Sequence, residues 1–452
     1  MKTSILKQFS ILLATVSVVF SCQKAPQDDL SQSNLKASTA SSEKAASHHT
    51  KINIENVLKA KPLVETGTFM NDNGPEKPPV IFPGDETSFS FSAGKGQYLS
   101  FATMYGWSND LFFAPDNYGI KLYEDDGTPI EGDVSWEVKL WDNGSRVNQV
   151  PGEDVMHPGT PESEPITEVV GTDRDGNTYA AASDMMHLWL TYNGDSTFTL
   201  TIMNTSNETD NLTPFSPGVW AISYAPGGNL LMPHPIYQAG MDTTEGLTNI
   251  AEAGDIAVMH ETLWNHTGIF TPLSPVLVVV YKGNSNPFYK VGDYDWGNGL
   301  KEIAQGGNAE PLKENLMNNE EVEAVYIVAD PTSGVLLPSI DGNPGSKVSQ
   351  DLWVTGGSKI AIATMYGLSN DWFFATKGQD VNALRVGDIS STIGLFDDGT
   401  GVNEFPGAGV NQAAQGGTPI VEDNPIWEVP NPNEFTSLPQ IIKVTLNRSE
   451  NE

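Results

Sequence analysis

The sequence predicts an all-β protein made of two tandem antiparallel β-sandwich domains, with short helices in an inserted head of the second. Three observations carry that expectation. "ATMYGWSNDLFFA" (Ala102 to Ala114) recurs as "ATMYGLSNDWFFA" (Ala363 to Ala375) with eleven of thirteen positions identical, so the chain holds two copies of one folded unit. Short runs rich in β-branched and aromatic residues are separated by Gly, Pro, Asn and Asp clusters, the pattern of a sandwich. Long amphipathic helical periodicity is nearly absent.

At the start, residues 1–22 read as an export signal: Lys2 and Lys7 precede an apolar run from Ile11 to Phe20, and small Ser21 precedes Cys22. The run is too short to span a membrane. "VFSC" is similar to the lipobox of bacterial lipoproteins, which implies lipidation of Cys22, the one cysteine of the chain. No intrachain disulfide can form. Residues 23–50, rich in Ser, Ala, Lys and Gln, read as a flexible polar tether that includes His48 and His49. The acidic pair Asp28 and Asp29 resembles surface-export signals of gram-negative lipoproteins. The expected location is the outer membrane or cell surface, with the membrane contacted through the lipid anchor alone.

Residues 51–205 are expected to form the first sandwich and 206–450 the second. Within the first, "QYLSFATMY" alternates along a strand, and "VSWEVKLW" places Val134, Trp136, Val138 and Leu140 in another. "GDVSWEVKLWDNGSRVNQVPG" from Gly132 recurs as "GDISSTIGLFDDGTGVNEFPG" from Gly387. A fainter repeat lies between the units. "LTPFSP" at Leu212 recurs as "FTPLSP" at Phe270, and "GLTNIAEAG" at Gly246 as "GLKEIAQGG" at Gly299. The latter pair predicts two short helices on a sheet edge, the first capped by Thr243 or Thr244 and ended by Gly254, the second ended by Gly307. "SPVLVVVYK" from Ser274 predicts a buried central strand.

Lys and Arg number 24 against 57 Asp and Glu, a formal net charge of -33, which argues against nucleic acid as a partner. Catalytic motifs are wanting. In "HETLWNH", His266 follows His260 by six residues, not the four of a metalloprotease helix. No GxSxG elbow, phosphate loop or Cys-His pair is present. "TDRDGNTY" from Thr172 opens like a calcium loop but lacks its closing bidentate acid, and reads as a turn. Acid pairs such as Asp125 and Asp126, and the tryptophans 107, 141, 264, 296, 372 and 427, leave a carbohydrate-binding or carbohydrate-hydrolysing protein as the rival expectation.

The Ser-Asn-Asp-aromatic turn after "TMYG", the "LWDNG" and "LFDDG" turns followed by "VN" and "PG", and "PFSPGVWA" with "GLTNIAEAGD" together resemble the bacterial branch of the spondin N-terminal domain family, over roughly Ile52 to Leu446. The resemblance implies an extracellular β-sandwich, bound calcium, and an extracellular matrix, glycan or cell-surface protein as partner. It carries calcium ligands onto Asp110 and Asp142 in the first copy and Asp371 and Asp397 in the second. A further acid that the family places four residues on is replaced here by Arg146 and Gly401. Asn109, Asn148, Asn370, Asn403, Asp398 and Glu404 offer oxygens in its stead. The function so implied is non-enzymatic adhesion or matrix binding by a lipid-anchored surface protein.

Overall fold

The computed structural model describes residues 48–378, 381–430 and 440–448. The signal-like segment, Cys22 and nearly all of the expected tether lie outside them.

The described chain opens with β1 (His48–Asn56). A first unit follows, with β2 (Leu63–Phe69), β3 (Glu86–Ser92), β4 (Tyr98–Tyr105), β5 (Leu111–Pro115), β6 (Ile120–Lys121), β7 (Gly132–Asp133), β8 (Val138–Asp142), β9 (Thr167–Glu168), the single-turn α1 (Ala182–Met185), β10 (Met186–Gly194), β11 (Thr197–Asn204), β12 (Phe215–Ser223), α2 (Glu245–Ala253) and α3 (Ala257–Asn265). The second holds β13 (Val276–Tyr281), α4 (Leu300–Gly306), α5 (Glu310–Leu316), β14 (Val322–Val328), β15 (Lys347–Val354), β16 (Lys359–Met365), β17 (Trp372–Thr376), β18 (Val381–Asn382), β19 (Gly387–Asp388), β20 (Ile393–Asp397), β21 (Trp427–Glu428) and β22 (Ile442–Arg448).

These strands form four antiparallel sheets, two in each unit, so the all-β sandwich expected from the sequence is the fold observed. In the first unit a four-stranded sheet runs β3-β11-β10-β7 and a seven-stranded sheet runs β2-β12-β4-β5-β8-β9, with β6 also on β4. The second unit repeats both orders strand for strand, as β15-β1-β22-β19 and β14-β13-β16-β17-β20-β21, with β18 on β16.

Matching those orders equates β1 with β11 and β13 with β12. In the first unit the two strands are consecutive. In the second, the entire first unit lies between them, so one sandwich is inserted into the other. The two crossings run side by side, with Lys61 N donating to Ile269 O at 2.9 Å and Leu63 N to His266 O at 3.0 Å, and such close ends are what an insertion requires. The boundary therefore differs from the expected division at residue 206. Strand β12 pairs with β2 and β4 of the first sheet, and α2 and α3 pack on that same sheet. Each unit owns one copy of the fainter repeat. The second unit in turn recruits β1, which pairs with β15 and β22, so the chain is already in register at His48 where the sequence suggested tether.

Three layers explain the burial. On β13, Val276, Val278 and Val280 face the small sheet, whereas Leu277, Val279 and Tyr281 face the core shared with Leu300, Ile303 and Leu312 of the helices. Every residue of the strand is buried as a result, which accounts for its unbroken apolar run. The same division places Phe101 and Tyr105 of β4 in the inter-sheet core and Ala102 toward Leu247 and Ile250 of α2. The helices thus cover the face of the large sheet, over β4 and β16, rather than its edge. Thr244 caps α2 by accepting from Leu247 N at 3.3 Å, and Gly254 and Gly307 end α2 and α4 in the left-handed region. The run expected from Val134 to Leu140 is broken by a 3-10 turn at Ser135–Glu137, because Asp133 Oδ1 accepts from both Ser135 N and Ser135 Oγ. Trp136 is exposed there.

Because Ile52 is fully buried in the second unit's core, Ile52→Ala is expected to cost about 2–5 kcal/mol. Hydrogen exchange by mass spectrometry should show lost protection in β15 and β22 and little change in β10 and β11. Equal loss in both small sheets would contradict the insertion.

Candidate metal centre

Each residue of the duplicated Ser-Asn-Asp turn has a separate task. Ser108 Oγ donates to Tyr105 O at 2.7 Å and accepts from Leu111 N at 3.0 Å, closing the turn that links β4 to β5. Ser369 does the same with Tyr366 O at 2.8 Å and Trp372 N at 3.0 Å. Asn109 and Asn370 reach to a second loop, accepting from Gln149 N at 2.9 Å and Glu404 N at 3.0 Å. Their amides also donate, to Met156 O and to Glu404 Oε2. Both ends of each asparagine are thus engaged in joining the two loops. Glu404 also reaches across the boundary, its Oε1 accepting from Ser196 Oγ of the first unit at 2.6 Å.

The aspartates clamp the turn after β8 or β20. Asp110 Oδ2 accepts from Ser145 N at 2.7 Å and Arg146 N at 2.8 Å. Asp371 Oδ2 likewise accepts from Thr400 N at 2.7 Å and Gly401 N at 2.9 Å. Both residues are fully buried, and Oδ1 of each has no hydrogen-bond partner. The clamped turns begin with Asp142 and Asp397, whose Oδ1 atoms accept from Gly144 N and Gly399 N at 2.8 Å each. These glycines have φ of +72° and +70°, and a Cβ on either would lie 2.2 Å from the carbonyl oxygen of Glu164 or Asn424. Only glycine allows the chain after the turn to pass this close.

That passing chain delivers a third acid. Glu162 N donates to Ser145 O at 3.0 Å and Glu164 N to Gly144 O at 2.9 Å, while Glu422 N donates to Thr400 O at 3.3 Å and Asn424 N to Gly399 O at 2.9 Å. Glu162 and Glu422 are therefore equivalent. In the second unit, carboxylate oxygens of Asp371, Asp397 and Glu422 all lie within 4.8 Å of one another, about twice a calcium–oxygen bond. This arrangement can hold a metal ion. Asp398 adds another fully buried carboxylate with Oδ1 unpaired.

Burial and like charge show in the acidities. Asp371 is pushed up to about 7, first by burial and then by Asp397; Asp398 to about 8, by burial and then by Asp295. Asp110 is likewise raised to about 7, by burial and then by Asp142. Orphaned buried carboxylate oxygens with raised pKa values are the chemistry of a site fitted to a cation.

The first unit differs. Arg174 Nε lies 3.0 Å from Asp142 Oδ2, and Nη1 lies 3.6 Å from Glu162 Oε1. Burial raises the pKa of both acids, and this guanidinium is the largest influence working against it. Arg146, expected to add its charge here, pairs with Glu252 Oε2 on α2 at 2.9 Å and also interacts electrostatically with Asp110. Gln305, the counterpart of Glu252 on α4, donates to Thr400 Oγ1 at 3.0 Å. Asn148 and Asn403 orient the second acid, each donating through Nδ2 to Oδ2 of Asp142 or Asp397. Trp372 Nε1 adds a donor to Asp397 Oδ2 at 3.1 Å, and the first copy has Leu111 in that position.

Of the four aspartates singled out from the sequence, the structure brings Asp371 and Asp397 together with Glu422 and sets Asp110 and Asp142 beside one another. Glu162, Glu422 and Arg174 were not foreseen. A third repeat would have exposed the glutamates, since "ESEPITEV" at Glu162 aligns with "EDNPIWEV" at Glu422. The Thr172 loop is a turn, with Asp173 Oδ1 accepting from Asp175 N and Asn177 N. His266 Nδ1 bonds Thr262 O at 2.7 Å at the end of α3, Asp125 pairs with Lys121 at the surface, and Trp141 and Trp372 are buried. No protein-family model matches the chain, and no curated protein matches it.

In chelator, Asp371→Asn is expected to leave the melting temperature unchanged or raise it. The amide keeps an acceptor for Thr400 N and Gly401 N and removes one of several adjacent buried charges. Differential scanning calorimetry checks this, and a large fall in Tm would show that the carboxylate is needed for packing alone.

Proposed function

We propose that the protein is an exported, lipid-anchored surface protein whose two spondin-like sandwiches act without enzymatic chemistry in extracellular adhesion or matrix binding, and that its second unit holds calcium. The observation that carries the calcium assignment is the convergence of Asp371, Asp397 and Glu422, with Asp371 Oδ1 unpaired and fully buried. Calcium takes six to eight oxygens and accepts irregular geometry, which suits acids arriving from three separate turns. Bound there, it would supply the positive charge that the acids lack and tie those turns together at one end of the sandwich. The signal-like segment, Cys22 and the acidic charge balance support export and surface display. No helix among the described residues is long and apolar enough to cross a membrane.

A glycan is the partner class that a second observation favours. Tyr294 and Trp296 bracket Asp295, whose charge acts on Asp398, and Trp427 pairs with Asp397 across the β20–β21 ladder. All three rings are about half exposed, at 54%, 46% and 46%, and such faces stack on sugar rings. Glycan-array binding that is lost in chelator and in Trp427→Ala supports this partner. Retention on protein-coated matrix surfaces with no glycan signal points to a protein partner, and loss of both removes the adhesion reading.

Calcium at about 100 times its Kd is expected to raise the unfolding free energy of the second unit by about 2.7 kcal/mol. The measurement is denaturant unfolding of the whole chain in calcium against chelator, with Asp397→Asn as the control that abolishes the gain. No shift at millimolar calcium would refute the metal assignment.

A further inference from the structure

The two units place three equivalent acids at the same point of the fold, and only the first sets a basic side chain in ion pairs with two of them. Around Asp371, Asp397 and Glu422, no Lys or Arg makes an ion pair with any of the three among the described residues. The sequence that follows, from Val429 to Ile441, contains no Lys or Arg either. In the first unit the corresponding stretch carries Arg174. Its guanidinium contacts Asp142 and Glu162 on one side, and Nη2 donates to Pro165 O at 3.1 Å and Thr167 Oγ1 at 2.9 Å on the other. The backbone that bears it is fixed as well. Asp173 organises the turn from within, and Asp175 Oδ2 accepts from Asn148 N at 2.7 Å, binding the turn to the loop after β8. A planar cation held from both sides is a built feature of the site.

A simpler reading is that Arg174 only replaces a hydrogen-bond donor. In the second unit Trp372 Nε1 donates to Asp397 Oδ2, and the first unit has exchanged that tryptophan for Leu111. A neutral indole serves the second unit, so the donor alone does not call for a charge. What Arg174 adds is one positive charge and reach to Glu162.

We propose that Arg174 is the first unit's internal cation, standing where the second unit takes a metal, so that the chain binds one divalent ion and carries a second, latent metal site closed by its own side chain. The proposal rests on the metal reading of the second unit. It assigns the latent site to Asp110, Asp142 and Glu162, with hard, oxygen-preferring divalent cations as its class of ligand.

The test is calcium stoichiometry, by equilibrium dialysis and calorimetric titration with calcium chloride on the whole chain. The wild type is expected to bind one ion, Asp371→Asn none, Arg174→Gln two, and the Arg174→Gln, Asp371→Asn double variant one. Arg174→Lys keeps the charge and is expected to remain at one. A wild type that binds none sinks the metal reading itself. A wild type that binds two, an Asp371→Asn variant that still binds one, or a folded Arg174→Gln variant that gains nothing overturns the role of Arg174 and leaves the second site standing. Should Arg174→Gln fail to fold, the wild type and Asp371→Asn decide between one ion and two.

Discussion

A carboxylate buried at the end of a central strand, bonded through one oxygen and not the other, is the constraint around which each sandwich is arranged. Asp110 and Asp371 use Oδ2 to hold the turn that follows the next-but-one strand, and that turn brings in a second acid and the chain bearing a third. Removing a carboxylate from water costs on the order of several kcal/mol unless charge or hydrogen bonds compensate. Backbone N–H groups compensate one oxygen. The other is left without a hydrogen bond in both halves of the chain, and what differs is its company: Arg174 pairs with the neighbouring Asp142 and Glu162 in one, and Asp371, Asp397 and Glu422 form a metal-compatible cluster in the other.

The architecture sets the two sites in different company. The first unit is folded from one continuous stretch, whereas the second is closed only when β1 returns to sit between β15 and β22. Joined in this way, the units also share a polar contact. Glu404 bonds Asn370 next to the acid cluster and Ser196 across the boundary, and Ser196 Oγ in turn accepts from Val410 N at 2.8 Å. The loop that would frame a metal in the second unit is therefore braced by the first. In the first unit the matching residue is Gln149, which is spent on its own loop through Met156 N.

Much of this was legible in the residues. The repeats disclosed two copies of one unit, and turn chemistry placed the strands around them. Gly254 and Gly307 marked the ends of helices, and four of the site aspartates stood at matching places in both copies. What was not legible has physical causes. An insertion leaves no local mark, because β12 and β13 look alike and only strand pairing tells which sheet each joins. Alternation in "QYLSFATMY" understated burial, because helices cover the face that an ordinary sandwich leaves to water. Glu162 and Glu422 come from a segment held by backbone bonds and a glycine contact, with few apolar residues to draw attention. Arg174 lies in a loop whose partner segment differs in length and composition, so that comparing the copies hides it.

The central claim is that the acids of the second unit, and not those of the first, await a metal. Terbium, an oxygen-preferring ion used in place of calcium, reports this directly, because Trp372 Nε1 lies 3.1 Å from Asp397 Oδ2 and would pass its excitation to an ion bound there. Tryptophan-sensitised terbium emission is predicted in the wild type, displaced by calcium and absent from Asp397→Asn but kept in Asp142→Asn. Emission that survives Asp397→Asn, or that is lost with Asp142→Asn, would contradict the account.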